Sequence, residues 1–223
     1  MTNILSINNL RVRFRTDGFV RALLNQNSDP YIDAVLDVSL SIERGKTLGL
    51  VGESGSGKTT LGRSIIRLVD AVDGNIMFED KDIAQMSSTN LVTLRKDISM
   101  MFQDPVASLS PRKTVRSLIL EPFKIHGIND VNYHQKAKEL MEMVGLHEAF
   151  LGAYPHQLSG GQARRVGVAR ALALNPKLVI ADEPTAGLDV SVQGEILNLM
   201  KRLQLDLGLS YLIIAHNLPV IRH

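Results

Sequence analysis

The chain has 223 residues, 44% of them hydrophobic, enough for one large domain or a core carrying a subdomain. No run approaches the ~18 apolar residues of a membrane span, the start MTNILSINNL lacks the basic-then-apolar order of a secretory signal, and the absence of cysteine excludes disulfides and thiolate–metal sites and fits a cytosolic setting. Lys and Arg number 25 against 23 Asp and Glu, interspersed, and aromatics are 4% with no Trp, so no polyanion-binding tail or base-stacking surface stands out and no nucleic-acid partner is expected.

In chain order, Leu10, Val12 and Phe14 alternate as one face of a strand, and Ala34, Leu36, Val38, Leu40 and Ile42 as one face of a second. The stretch 15–33 between them has no period and is long for a structureless loop, so a hairpin or short helix is expected in it. KTLGLVG reads as a buried strand feeding a glycine loop, and KTTLGRSIIRLV as the helix after it. ISMMFQDP reads as a short strand ended by Pro105. From Thr114 to Val144 the period turns helical, with Ala137, Leu140, Met141 and Val144 on one face, so residues 104–159 read as a helical insertion. NPKLVIADEP is an apolar strand ending in two carboxylates. In DVSVQGEILNLMKRLQLDLG, Val192, Ile196, Met200, Leu203 and Leu207 share a helix face, and SYLIIAH is a further buried strand. Strands alternating with helices predict an α/β fold with a mostly parallel sheet.

The loop GESGSGKTT, residues 52–60, matches GxxxxGK[ST] between a strand and a helix. Gly52, Gly55 and Gly57 permit the tight turn that aims successive N–H groups, through Glu53, Ser54, Ser56 and Thr60, at the β- and γ-phosphates. Lys58 adds a point charge, and the Thr59 hydroxyl is placed for Mg²⁺. The LVIAD strand delivers Asp182 and Glu183 to the carboxyl edge of the sheet, where open α/β folds bind ligands. Asp182 is expected to hold Mg²⁺ through water, and Glu183 to act on the attacking water as general base or orienter. Gln103 follows the ISMMF strand; its amide suits Mg²⁺ or that water, though most glutamines are solvated. His216 ends the YLIIA strand on the same edge and suits a γ-phosphate or a purely structural bond. Phe14 suits either core packing or stacking on a nucleobase. No NKxD guanine reader is present, which favours adenine. A second anion-binding helix start, LSGGQARRVGVARAL, begins a hundred residues after the first.

The order GESGSGKTT, Gln103, LSGGQ, ADEP, AGLD, His216 resembles the ATP-binding subunit of ATP-binding cassette (ABC) transporters over nearly the whole chain. FQDPVASLSPRKTV, EPFKIHG, YPHQLSGGQ and DEPTAGLDVSVQGEILNLMKRLQ resemble its oligopeptide/dipeptide/nickel importer branch. The resemblance implies a P-loop NTPase of the ABC ATPase type, with a RecA-like core (1–103 and 160–223) bearing an N-terminal antiparallel β region, and a helical subdomain (104–159). It implies ATP and Mg²⁺ as ligands and a second ABC ATPase subunit, identical or not, packed head to tail. Ser159, Gly160 and Gly161 would then give donors to the partner's γ-phosphate, Gln162 would fix their turn, and Asp189 would sit across the interface. ATP would join the two halves and hydrolysis part them. An integral membrane permease subunit would dock near Gln103, Asp104 and Pro105, placing the chain on the cytoplasmic face of the inner membrane.

Some features depart from that pattern. Asn217 follows His216 where Asp is usual, AGLD stands for SALD, and Ser110 replaces a usual Asn. The longer 15–33 segment leaves Phe19 or Tyr31 as alternatives to Phe14. The chain stops at His223, where members of the family continue, so a truncated sequence is expected. A soluble cassette ATPase without a membrane partner and a non-catalytic binding module are the competing readings; QDPVASLSPR weighs against the first, and Glu183 with His216 against the second.

Overall fold

The computed structural model of the protein describes residues 2–15, 31–104 and 108–216. Strands β1 (Asn3–Arg15), β2 (Tyr31–Glu43), β4 (Asp73–Phe78) and β5 (Lys81–Asp82) make an antiparallel sheet in the order β2-β1-β4-β5. Strands β3 (Thr47–Val51), β6 (Ile98–Met101), β7 (Leu178–Asp182) and β8 (Ser210–Ala215) make a second sheet, order β3-β8-β7-β6, in which every pair is parallel.

β7 and β8 are buried throughout and, apart from Asp182 and Ser210 at their ends, mainly apolar, because both of their faces are covered. Leu178, Ile180, Leu212 and Ile214 enter a core shared with β1, β2, β4, helix α1 (Lys58–Ile65) and helix α2 (Ser88–Asp97). Val179, Ala181, Tyr211 and Ile213 enter the opposite core. That core is built by α3 (Val115–Ile119), α4 (Glu121–Ile125), α5 (Tyr133–Met143), α6 (Gly160–Leu172) and α7 (Val190–Leu207). The two-residue period of each central strand thus sorts its side chains between two helix layers.

Several expectations change. The face Ala34, Leu36, Val38, Leu40, Ile42 is interrupted: Leu10 pairs with Val38 and Val12 with Val35, so Leu36 and Asp37 both stand opposite Arg11. This is a β-bulge, with Asp37 at φ 52° and its carboxylate accepting from Asn9 Nδ2 at 2.7 Å. It turns Val35 inward and leaves Leu36 60% exposed. β3 is half-buried instead of buried, because β8 is its sole partner in the sheet among the described residues. The helical stretch after Thr114 is three helices, divided at Leu120, ahead of Pro122, and by Gly127 at φ 64°. Ala137, Leu140, Met141 and Val144 are fully buried together. Leu207 is exposed, because α7 ends at left-handed Gly208 and the chain turns Leu209 inward in its place. The strand at 98 ends at Met101, and Pro105 lies outside the described residues, as do Phe19 with most of the 15–33 segment, and Asn217 with the C-terminal stretch.

Candidate active site

The four parallel strands run in one direction, so their carboxyl ends form one edge. Val51 pairs with Ala215, Ile214 with Asp182, and Ala181 with Met101. This register brings the glycine loop after β3, His216 after β8, Asp182 and Glu183 at the end of β7, and Gln103 just past β6 to one place.

The loop enters α1 through Gly55 at φ 83° and Gly57 at φ 86°. Gly57 is the N-cap, and no side chain caps the helix, leaving its start to an external anion. A Cβ on Gly57 would lie 2.0 Å from the Ala34 carbonyl oxygen, so β2 presses its backbone directly against the loop. Lys58 folds back and donates to Gly52 O at 2.8 Å, Glu53 O at 2.5 Å and Ser56 Oγ at 3.1 Å. Its ammonium therefore sits within the curve of the loop.

Asp182 is buried, and the Thr59 hydroxyl donates to its Oδ1 at 3.1 Å. Burial raises the Asp182 pKa; the Thr59 bond opposes the rise and the Glu183 charge adds to it. A buried carboxylate beside a hydroxyl is a hard-oxygen donor set suited to Mg²⁺. Gln103 Nε2 donates to Glu183 Oε2 at 2.9 Å, and His216 Nδ1 lies 3.7 Å from the same oxygen. Glu183 itself stands at φ 48°, unusual for a non-glycine residue. Its N–H donates to Ile214 O at 2.9 Å, and its carbonyl accepts from Ala186 N at 3.1 Å. This backbone turn carries the side chain away from the strand line, toward Gln103. Phe14, 43% exposed, and Tyr31 lie on the surface, Phe14 paired with Ile32 two residues before Ala34 on β2.

The patch at residues 159–162 lies elsewhere. Ser159 Oγ accepts from Gln162 N at 3.2 Å, and Gln162 Oε1 accepts from Ser159 N at 2.9 Å, a capping box at the start of α6. Gly160 and Gly161 open onto a cleft shared with Gly187, Leu188 and Asp189. Asp189 is the N-cap of α7 and makes no side-chain cap bond. A Cβ on Gly161 would stand 2.9 Å from Val192 Cγ1, so a side chain there would have to displace Val192. None of the residues lining this cleft belongs to the Lys58–Glu183 cluster.

Two features escaped sequence reading. Arg164 on α6 is 3% exposed, with Nη1 donating to Gln103 O at 3.1 Å and Nη2 to Ala186 O at 2.6 Å. Its neighbour Arg165 is equally basic in sequence, and only the packing of α6 decides which of the two turns inward. A cleft of about 320 Å³ also opens beside Phe102, lined by Arg95, Met100, Ile125 and His126 among others. His126 Nδ1 is buried there without a partner, and burial, with the Lys96 charge, lowers its pKa.

These placements meet three comparisons. A model of the family described as "ABC transporter" matches residues 35–186. The chain is 50% identical over 206 residues to "Oligopeptide transport ATP-binding protein AppF" of Bacillus subtilis, covering 92% of this chain and 63% of that protein. It is 48% identical over 195 residues to the same organism's "Oligopeptide transport ATP-binding protein OppF", covering 86% of this chain and 64% of that protein. The chain thus spans a little under two thirds of these relatives. Among solved structures, the dimeric post-hydrolysis ATP-binding cassette MJ0796 bound to ADP and Pi is similar at a TM-score of 0.83 and 28% identity, over 98% of this chain and 90% of that one. With the P-loop ABC ATPase fold and the family match over well more than half its length, this chain belongs to the ABC transporter family.

Proposed function

We propose that this chain is the ATP-binding and ATP-hydrolysing subunit of an ABC importer for peptides. It works as a head-to-tail pair with a second cassette, against membrane permease subunits on the cytoplasmic face of the inner membrane. One observation carries the reading: Lys58, Thr59, Asp182, Glu183, Gln103 and His216 converge on one sheet edge, while the Ser159–Gly161 patch opens elsewhere. A glycine-rich helix start whose cleft shares no residue with the chain's own phosphate loop is explained by a nucleotide held on another copy.

In this reading residues 52–60 hold the phosphates through backbone N–H groups, and Lys58 exchanges its loop acceptors for phosphate oxygens. Thr59 and Asp182 hold Mg²⁺, which neutralises charge on the phosphate oxygens when bound. Glu183 accepts a proton from, or orients, the attacking water, with Gln103 fixing its carboxylate and His216 donating toward the γ-phosphate. Phe14, exposed beside the loop, stacks on adenine. Ser159, Gly160 and Gly161, steadied by Gln162, give donors to the partner's γ-phosphate, and Asp189 lies at the same interface. Residues 104–159 form the permease-facing subdomain, and the cleft beside Phe102 receives a permease segment. Peptide as solute follows the names of the relatives above; its selection resides in other subunits. No helix among the described residues is long and apolar enough to cross a membrane, which suits a peripheral subunit.

Phosphate release from Mg-ATP, abolished by Lys58→Ala and by Glu183→Gln, tests the reading. Co-purification of the chain with a multi-span membrane protein tests its importer half. Absence of hydrolysis in the parent chain over a wide concentration range overturns the first, and recovery on ribosomes or DNA the second.

A further inference from the structure

Arg164 is a charge buried between two neutral acceptors. Its side chain is 3% exposed, both its hydrogen-bond partners are backbone carbonyls, and its Nε hydrogen meets no acceptor. Burial lowers its pKa, with the Asp104 carboxylate opposing. Desolvating a guanidinium without a carboxylate hydrogen-bonded to it costs at least as much as two bonds to neutral carbonyls return. Stability therefore does not account for it. What distinguishes it is which carbonyls it holds.

Gln103 O belongs to the residue whose amide holds Glu183 Oε2, and Ala186 O to the residue whose N–H holds the Glu183 carbonyl. Both sides of Glu183 are thus tied to one guanidinium. That guanidinium rides on α6, five residues after Ser159, with the capping box making the helix start rigid. A displacement of the patch is carried by the helix to both carbonyls at once.

We propose that Arg164 is a positioning residue that ties the 159–161 patch to the Gln103–Glu183 pair of the same protomer. A nucleotide held by the partner and seated on the patch thereby sets the geometry of hydrolysis in this protomer's own site. The inference rests on the shared-site reading above, and it adds the residue that links the two sites.

The test uses the full chain with Arg164→Leu, which removes both bonds without leaving a buried charge, and Arg164→Lys, which reaches fewer of the acceptors. For Arg164→Leu the expected result is a folded protein with a melting temperature close to the parent's, relief of the buried charge offsetting the two lost bonds, and Mg-ATP affinity within twofold. ATP-driven association in the Glu183→Gln background also stays within twofold, while kcat falls at least tenfold; Arg164→Lys falls between the two. Amide exchange at residues 184–188 is expected to slow on association in the parent background and not with Arg164→Leu. A kcat within twofold of the parent, or a loss of kcat matched by loss of affinity, association or folded protein, overturns the proposal, as does identical exchange in both backgrounds. Failure of the shared-site reading shows in the parent chain, which then either does not associate with ATP or releases phosphate at a specific rate independent of its concentration, and the proposal falls with it. Failure of the proposal alone shows only in the variants.

Discussion

Gln103 and Glu183, 80 residues apart in the chain, are joined by a 2.9 Å hydrogen bond from the Gln103 amide to Glu183 Oε2. One follows β6 and the other β7, neighbouring parallel strands, so the pairing is a product of sheet order. Replacing Gln103 by Ala frees the carboxylate to rotate. A hydrogen bond to a charged group contributes about 1.5–3 kcal/mol, so kcat is expected to fall about 10- to 100-fold. ATP affinity, set by the loop, should change little. Steady-state phosphate release with a parallel nucleotide titration checks this split.

The left-handed backbone of Glu183 is a local cost at the position proposed to act on the attacking water. An L-residue there carries about 1–2 kcal/mol of strain that glycine avoids. Glu183→Gly is therefore expected to be about 1 kcal/mol more stable than Glu183→Ala, both being inactive. Denaturant unfolding of the two variants measures the difference; equal midpoints would show that the turn is unstrained.

Asp182 predicts a pH-dependent stability with an unusual sign for a carboxylate. Its folded-state pKa is raised, chiefly by burial, so protonation favours the fold. That contribution is fully present below about pH 4, the unfolded value, and is lost as pH rises through the folded value. Asp182→Asn keeps an acceptor for Thr59 without the charge. It should raise the melting temperature at pH 7 and leave it unchanged at low pH, while weakening Mg²⁺-dependent ATP binding. Thermal unfolding of both proteins between pH 4 and 7 reads the sign.

Gly55 and Gly57 have the same backbone sign and different surroundings. A Cβ at Gly55 meets nothing within 4 Å, whereas at Gly57 it meets Ala34 O at 2.0 Å. Gly55→Ala is expected to cost about 1 kcal/mol, the left-handed penalty alone. Gly57→Ala adds a backbone clash that must displace β2 from the loop, so ATP binding should be lost as well. Chemical denaturation and nucleotide titration separate the two.

Much of this site was legible in the sequence because its signals are local. The glycine spacing of residues 52–60, the two carboxylates after LVIA and the serine ahead of the second glycine pair each declare a backbone geometry within a few residues. Sheet order then needed only the rule that ligands gather at the carboxyl ends of parallel strands. What stayed hidden depends on contacts distant in the chain. The bulge at Leu36–Asp37 follows from the register shift opposite Arg11 and the Asn9–Asp37 bond, neither of which alternation reveals. The exposure of Leu207 follows from the turn at Gly208. Arg164 and Arg165 are indistinguishable as letters; the first is buried against Gln103 and Ala186, and the second reaches Val144 O and Glu195.

If a complete site takes residues from two chains, Ser159→Arg should disable it. A bulky cation at the start of α6 leaves residues 52–60 untouched and blocks the patch. The measurement is phosphate release as a function of protein concentration, for the parent and for the variant. With a site shared between two chains, the specific rate rises with concentration in the parent, stays near zero in Ser159→Arg, and the variant binds ATP as the parent does. A Ser159→Arg chain that hydrolyses ATP at the parent's rate, independent of concentration, would contradict a shared site.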